Sequence, residues 1–136
     1  LYALLFRTFF RQFDLRFLYV DARHAGLQST IAYSFYQLSR VEDAWTSTEE
    51  LAARAWLEST RDPMREWEAR YGDMRHYAFR HRVLEPLVMF GLLERRLLPG
   101  EEPWMKNAEY RRTALFGRLL RFAFRGEGKR DIFLMR

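Results

Sequence analysis

The sequence predicts a mostly helical domain that carries a small antiparallel β-hairpin. Three observations lead there. Apolar residues recur at helical spacing over most of the 136 residues. Ser47 and Glu50 form a capping box that marks a helix start. Two short strand-like runs flank a turn-rich stretch at Pro99-Gly100. Hydrophobic residues make up 49% and Gly plus Pro only 7 and 4 residues, so the chain can fill a core and does not read as disordered. With no cysteine, a disulfide scaffold and a cysteine-based zinc site are excluded.

Leu1 to Phe13 places Leu4, Leu5, Phe9 and Phe13 on one wide face of a helix, with Arg7, Arg11 and Gln12 elsewhere. Arg7 and the lack of a small-residue cleavage site argue against a signal peptide. Leu15 to Val20, bracketed by Asp14 and Asp21, reads as a strand or an extended connection. Gly26 to Val41 returns to helical spacing through Leu27, Ile31, Tyr33, Phe35 and Leu38. The capped helix then runs from Ser47 to about Ser59, with Leu51, Ala52, Ala55 and Trp56 as its apolar stripe. Asp62-Pro63 starts another helix that Gly72 ends. Asp73 caps a long helix toward Phe90, which Pro86 should kink or divide and Gly91 should end. Leu92 to Leu98 and Glu109 to Arg112 are the hairpin strands. Thr113 caps a last helix, Ala114 to Phe124, and Gly126 to Arg136 is a basic tail.

This order resembles a winged helix-turn-helix domain of the bacterial transcription-regulator type. The resemblance rests on Thr46-Ser47-Thr48-Glu49-Glu50-Leu51-Ala52, on Phe90-Gly91-Leu92-Leu93-Glu94, and on Tyr110-Arg111-Arg112-Thr113-Ala114-Leu115-Phe116-Gly117-Arg118-Leu119-Leu120. These are similar to that family's second-helix, helix-exit and post-wing motifs. The resemblance covers residues 27–122. It implies an N-terminal helix and extended segment over 1–25, a winged-helix domain over 26–124 and a basic tail or linker over 125–136. The chain departs from the family at Ser59 to Gly72, where an inserted helix separates the second and third helices that family members join by a short turn. Because the sequence starts at Leu1 and not at methionine, it reads as a piece of a longer protein.

In such a fold the third helix would enter the major groove of double-stranded DNA. Arg75, Arg80 and Arg82 are the groove-facing candidates, and Arg95, Arg96, Arg111 and Arg112 would hold backbone phosphates from the wing. Charge placement fits this. The net charge is +5, with lysine only at Lys106 and Lys129 among 23 basic residues. Residues 21–60 hold three arginines against six carboxylates, a net −3. Residues 73–98 hold five arginines against three carboxylates, and residues 109–136 seven arginines and Lys129 against three, so the positive charge collects in the third helix, the second wing strand and the tail.

The same sequence supports an alternative, a winged-helix protein-interaction or structural module with no direct DNA contact. The inserted helix favours it, as do the acidic wing tip at Glu101 and Glu102 and a third helix apolar on two sides. Leu1–Phe13 and Ala114–Phe124 are where the resemblance places a homodimer or partner-domain contact. Catalysis is not expected: no phosphate loop, nucleophile elbow or zinc-protease signature occurs. His76 and His81, five apart, lie about 140° apart on a helix and so do not share a face for a metal as an i, i+4 pair would. No cofactor, metal or membrane is implied, and a cytoplasmic location is the expectation.

Overall fold

In the computed structural model the described residues are 1–12, 25–61, 76–99, 108–123 and 132–135. The expectations for Leu15–Val20, for the Pro63–Gly72 helix, for Asp73 and Arg75, and for the wing tip at Glu101 and Glu102 lie outside them. The described chain is mostly helical with a small three-stranded antiparallel sheet.

Helix α1 (Tyr2–Gln12) turns Phe6 and Phe10, one helical turn apart, into the core. Their rings lie 4.8 Å apart, and Phe10 meets Phe35 edge-on at 4.8 Å. Phe90 closes the cluster against Tyr2, Phe6, Phe9 and Phe10. Edge-on aromatic contacts contribute about 0.5–1.5 kcal/mol each beyond area burial, so α1 is part of the core.

The helix expected over 26–41 is two pieces, α2 (Ala25–Ser29) and α3 (Ile31–Arg40). Thr30 leaves helical geometry at φ −108° and ψ 15°, and its hydroxyl donates to the Leu27 carbonyl. Adjacent Ser29 and Thr30 are hydroxyl residues that compete with the helix for its own carbonyls. The buried face nevertheless runs through the break, from Leu27 and Ile31 to Phe35 and Leu38.

Strand β1 (Thr46–Ser47) leads directly into α4 (Thr48–Ala55). Ser47 caps α4, its Oγ accepting from the Glu50 amide at 3.1 Å. The Glu50 carboxylate turns forward to Arg54 at 2.7 Å. The buried Thr48 hydroxyl donates to the Ala108 carbonyl at 2.8 Å, tying the helix start to the sheet. Helix α4 ends at Ala55, four residues before the expected Ser59, because Trp56 turns extended and stacks on Phe79. Residues 58–61 are helical again.

The next helical stretch begins after His76, which holds a left-handed φ of 60°. It comprises α5 (Tyr77–Phe79), a π-helical turn over Arg80–Leu84, and α6 (Glu85–Met89). Pro86 stands in the first turn of α6, so the long helix is divided there, and the turn before it is widened. Proline has no amide to donate and its ring crowds the carbonyl four residues back. The Glu85 amide accordingly reaches five residues back, to the Arg80 carbonyl. Helix α6 ends as Gly91 predicts. Gly91 takes φ +71°, its amide donates to Val88, and the Leu92 amide donates to Leu87. This is the paired-carbonyl ending that glycine permits.

The hairpin pairs β2 (Leu93–Arg96) with β3 (Glu109–Arg112), and β1 adds to the other edge of β3. Thr113 precedes α7 (Ala114–Leu119), yet it makes no side-chain cap there. Its hydroxyl donates to the Gly91 carbonyl at 2.7 Å, pinning the helix exit to the strand end. Helix α7 does not reach Phe124. Residues Leu120–Ala123 form β4, which pairs antiparallel with β5 (Ile132–Met135) inside the segment read as a basic tail. Leu120 is buried, Arg121 exposed, and Phe122 lies against Tyr36 at 5.6 Å. That alternation is the period of a strand.

Candidate nucleic-acid interface

Strand alternation divides the hairpin arginines into two sets. Antiparallel register puts Glu94 opposite Arg111 and Arg96 opposite Glu109 on one face. Each pair closes. Arg111 donates to Glu94 at 2.7 Å, and the Arg96 guanidinium is bonded to Glu109. Trp45, just before β1, lies under both guanidiniums at 4.7 and 4.8 Å from its ring centroid. The outer face is thus two cations and two anions around one indole. Cation–π contacts of this exposure contribute about 0.5–1 kcal/mol.

Arg95 and Arg112 belong to the opposite face, with Leu93 and Tyr110. The Arg112 guanidinium donates to the Ser39 and Val41 carbonyls, each at 2.6 Å. It therefore satisfies carbonyls at the C-terminal end of α3, where the helix is partly negative. Arg95 is bonded to Glu85. The other oxygen of that carboxylate accepts from the buried Tyr110 hydroxyl at 2.6 Å. Burial, with the hydrogen bond to Glu85 adding to it, pushes the Tyr110 hydroxyl well above its ordinary value. Glu85 in this way locks the helix to the hairpin.

The third-helix candidates fall differently. Arg75 lies outside the described residues. Arg80 is 4% exposed, carried inward by the π-helical turn, with its Nη2 3.3 Å from His81 Nε2. Arg82 is half-buried and is engaged within the chain. His81 is pushed below the usual histidine value, first by burial and then by the Arg80 charge; Arg82 pushes the same way and Glu85 opposes. Arg95 is thus held at Glu85, Arg96 and Arg111 lie on Trp45, and Arg112 is held at the end of α3, each directed at groups of this chain.

The sequence alone gives Glu85, Glu94, Glu109 and Trp45 no role at the site. The signal was present: once Leu93-Glu94-Arg95-Arg96 and Glu109-Tyr110-Arg111-Arg112 are paired antiparallel, opposite charges face each other. Exposed large apolar residues lie on the outward side of α1 at Leu1, Leu4 and Leu5, at Met89, and at Leu97 and Leu98 just after β2. Among the described residues no helix is long and apolar enough to cross a membrane. No group of three or more His, Cys, Asp or Glu residues among them could hold a metal ion. No family model, curated protein or solved structure matches the chain.

Proposed function

We propose that the chain is a winged-helix module, non-catalytic and cytoplasmic, that acts by binding protein and not by holding DNA through its third helix. The winged-helix reading is supported by the order helix, β1, helix, helix, β2, β3 and by the sheet order β1-β3-β2. The Gly91 exit and the Ser47 cap fall where the motif needs them.

One observation carries the choice of partner. The described arginines of the expected DNA face are turned to this chain's own carboxylates, carbonyls and aromatic rings, while leucines of α1 stand in solvent. Phosphate binding needs cations that can release counterions and meet the backbone. DNA binding by the hairpin remains as a second reading, favoured by the partial exposure of the Arg96 and Arg111 side chains, 48% and 42%. Surface ion pairs of this kind contribute about 0–1 kcal/mol, so phosphate could replace the carboxylates.

Titration of a short mixed-sequence duplex, followed by fluorescence anisotropy between about 50 and about 200 mM salt, separates the two. The module reading predicts weak binding that Arg96→Ala and Arg111→Ala leave unchanged. Tight binding that falls steeply with salt, and that either substitution weakens, would establish the second reading.

A further inference from the structure

The open edge of β2 carries a pattern that is complementary to itself. The sheet order is β1-β3-β2, so β2 is an edge strand, and among the described residues no strand pairs with its other side. Residues 94–99 are exposed. The Thr113 amide donates to the Leu92 carbonyl at 3.0 Å, which sets the phase of the ladder. Glu94 and Arg96 therefore direct their backbone groups to β3, and Leu93 and Arg95 direct theirs to the open edge. Charged side chains normally keep such an edge from pairing. Here the charges run Glu94-Arg95-Arg96, and one alignment of two copies turns them from opposition into attraction.

We propose that a second copy of this chain docks antiparallel on the β2 edge, about a twofold axis through Arg95. The proposal goes beyond the interaction-module reading and does not depend on it. In this register Glu94 of each copy lies opposite Arg96 of the other. Within each chain Glu94 already faces Arg111, and Arg96 faces Glu109. One row across the joined sheet thus reads Arg111, Glu94, then Arg96 and Glu109 of the second copy, with the charge alternating at every step. The two Arg95 residues exchange backbone hydrogen bonds at the axis, and each brings its own counter-ion, Glu85. Leu97, 46% exposed, comes beside Leu93 of the other copy.

Neighbouring registers lose this match. An axis between two residues sets an outward-facing backbone group against an inward-facing one. An axis at Glu94 sets Glu94 against Glu94, and one at Arg96 sets Arg96 against Arg96. An axis at Leu97 places Pro99, which has no amide, opposite Arg95. Pairing over residues 93–97 covers less than the roughly 800 Å² per partner of a standard interface, so the dimer is weak and forms at micromolar concentrations or above.

Sedimentation equilibrium of the whole chain between about 1 and about 500 μM tests this. The native chain should pass from monomer to dimer over that range. Glu94→Arg and Arg96→Glu should each weaken the dimer about ten-fold or more, since each sets like charges opposite one another. An equimolar mixture of the two variants should dimerise again, because both oppositions are restored between unlike chains. The chain has no cysteine, so a cross-link reads the register independently. Glu94→Cys chains mixed with Arg96→Cys chains should form a disulfide-linked dimer several-fold faster in a glutathione redox buffer than either variant alone. If a charge reversal lowers the thermal melt, the cross-link decides. A native chain that stays monomeric overturns the proposal. So does a dimer that both charge reversals leave intact, a mixture of well-folded variants that stays monomeric, or cross-linking no faster in the mixture. A dimer lost on Leu4→Ser with Leu5→Ser and indifferent to the charge reversals would place the contact on α1 and overturns it too.

Discussion

The outer face of the β2–β3 hairpin and the outer face of α1 are both exposed, and they are opposite in kind. The hairpin carries four charged side chains, and each meets its complement across the strands. Helix α1 carries leucines that are half or more exposed, beside two arginines with no acid on the helix. Charge is plentiful where it is already neutralised, and apolar area is uncovered where the charge is unopposed. A +5 total therefore says less about partners than the distribution of complements does.

The inside of α1 should show the largest effect. Phe10→Ala removes a ring that is 1% exposed and touches Phe6, Phe35 and Phe90. A loss of about 3–5 kcal/mol is expected, read by urea unfolding. Leu4→Ser on the outside should change stability by no more than about 0.5 kcal/mol. Similar losses for both would show that α1 is not two-faced in this way.

Glu85→Ala probes the joint between the helix and the hairpin. It leaves the Tyr110 hydroxyl and the Arg95 guanidinium without their shared acceptor. A loss of about 1–3 kcal/mol is expected in the same assay. Gly91→Ala follows, at about 1–2 kcal/mol. At φ +71° the cost lies in the backbone, since the nearest atom to an added Cβ is Leu115 Cδ2 at 3.9 Å.

Two titrations sharpen the joint further. Tyr110 has its value raised in the folded chain, so the folded state holds that proton more tightly than the unfolded state. Its stabilisation is complete below the ordinary tyrosine value of 10.0 and declines as pH rises above it. His81 is lowered, so the unfolded state binds its proton more readily. Its contribution is present above the ordinary value of 6.5 and is lost as pH falls below it. Thermal melts from acid to alkaline pH should decline at both ends, and His81→Gln should flatten the acid limb alone. Ser34 should give an effect of the opposite sign, because its buried Oγ has no hydrogen-bond partner among the described residues. Ser34→Ala should stabilise by about 1 kcal/mol or less.

The features that could be read in the sequence are those with a local chemical cause. Ser47 caps and Gly91 turns, because each depends on a few adjacent residues. The features that could not be read depend on distant partners. Strand β1 has two residues, too few for a period, and exists because β3 offers it a free edge. The run Leu120–Ala123 continues the apolar spacing of α7 and becomes a strand because Ile132–Met135 pairs with it. Thr113 sits where a cap belongs, but the Gly91 carbonyl takes its hydroxyl. Arg80 follows the same rule. Its charge suited a groove, and a π-helical turn set by Pro86 carried it inward.

Closure of the hairpin face to phosphate by its own carboxylates is the proposal on which the choice of partner rests. Duplex affinity of Glu94→Gln with Glu109→Gln against the native chain tests this most directly, across the same salt series. Removing both anions frees Arg96 and Arg111, so the variant should bind more tightly at low salt and its salt dependence should steepen by about two counterions. A native chain that already binds tightly, with a variant no tighter and no steeper, would contradict it.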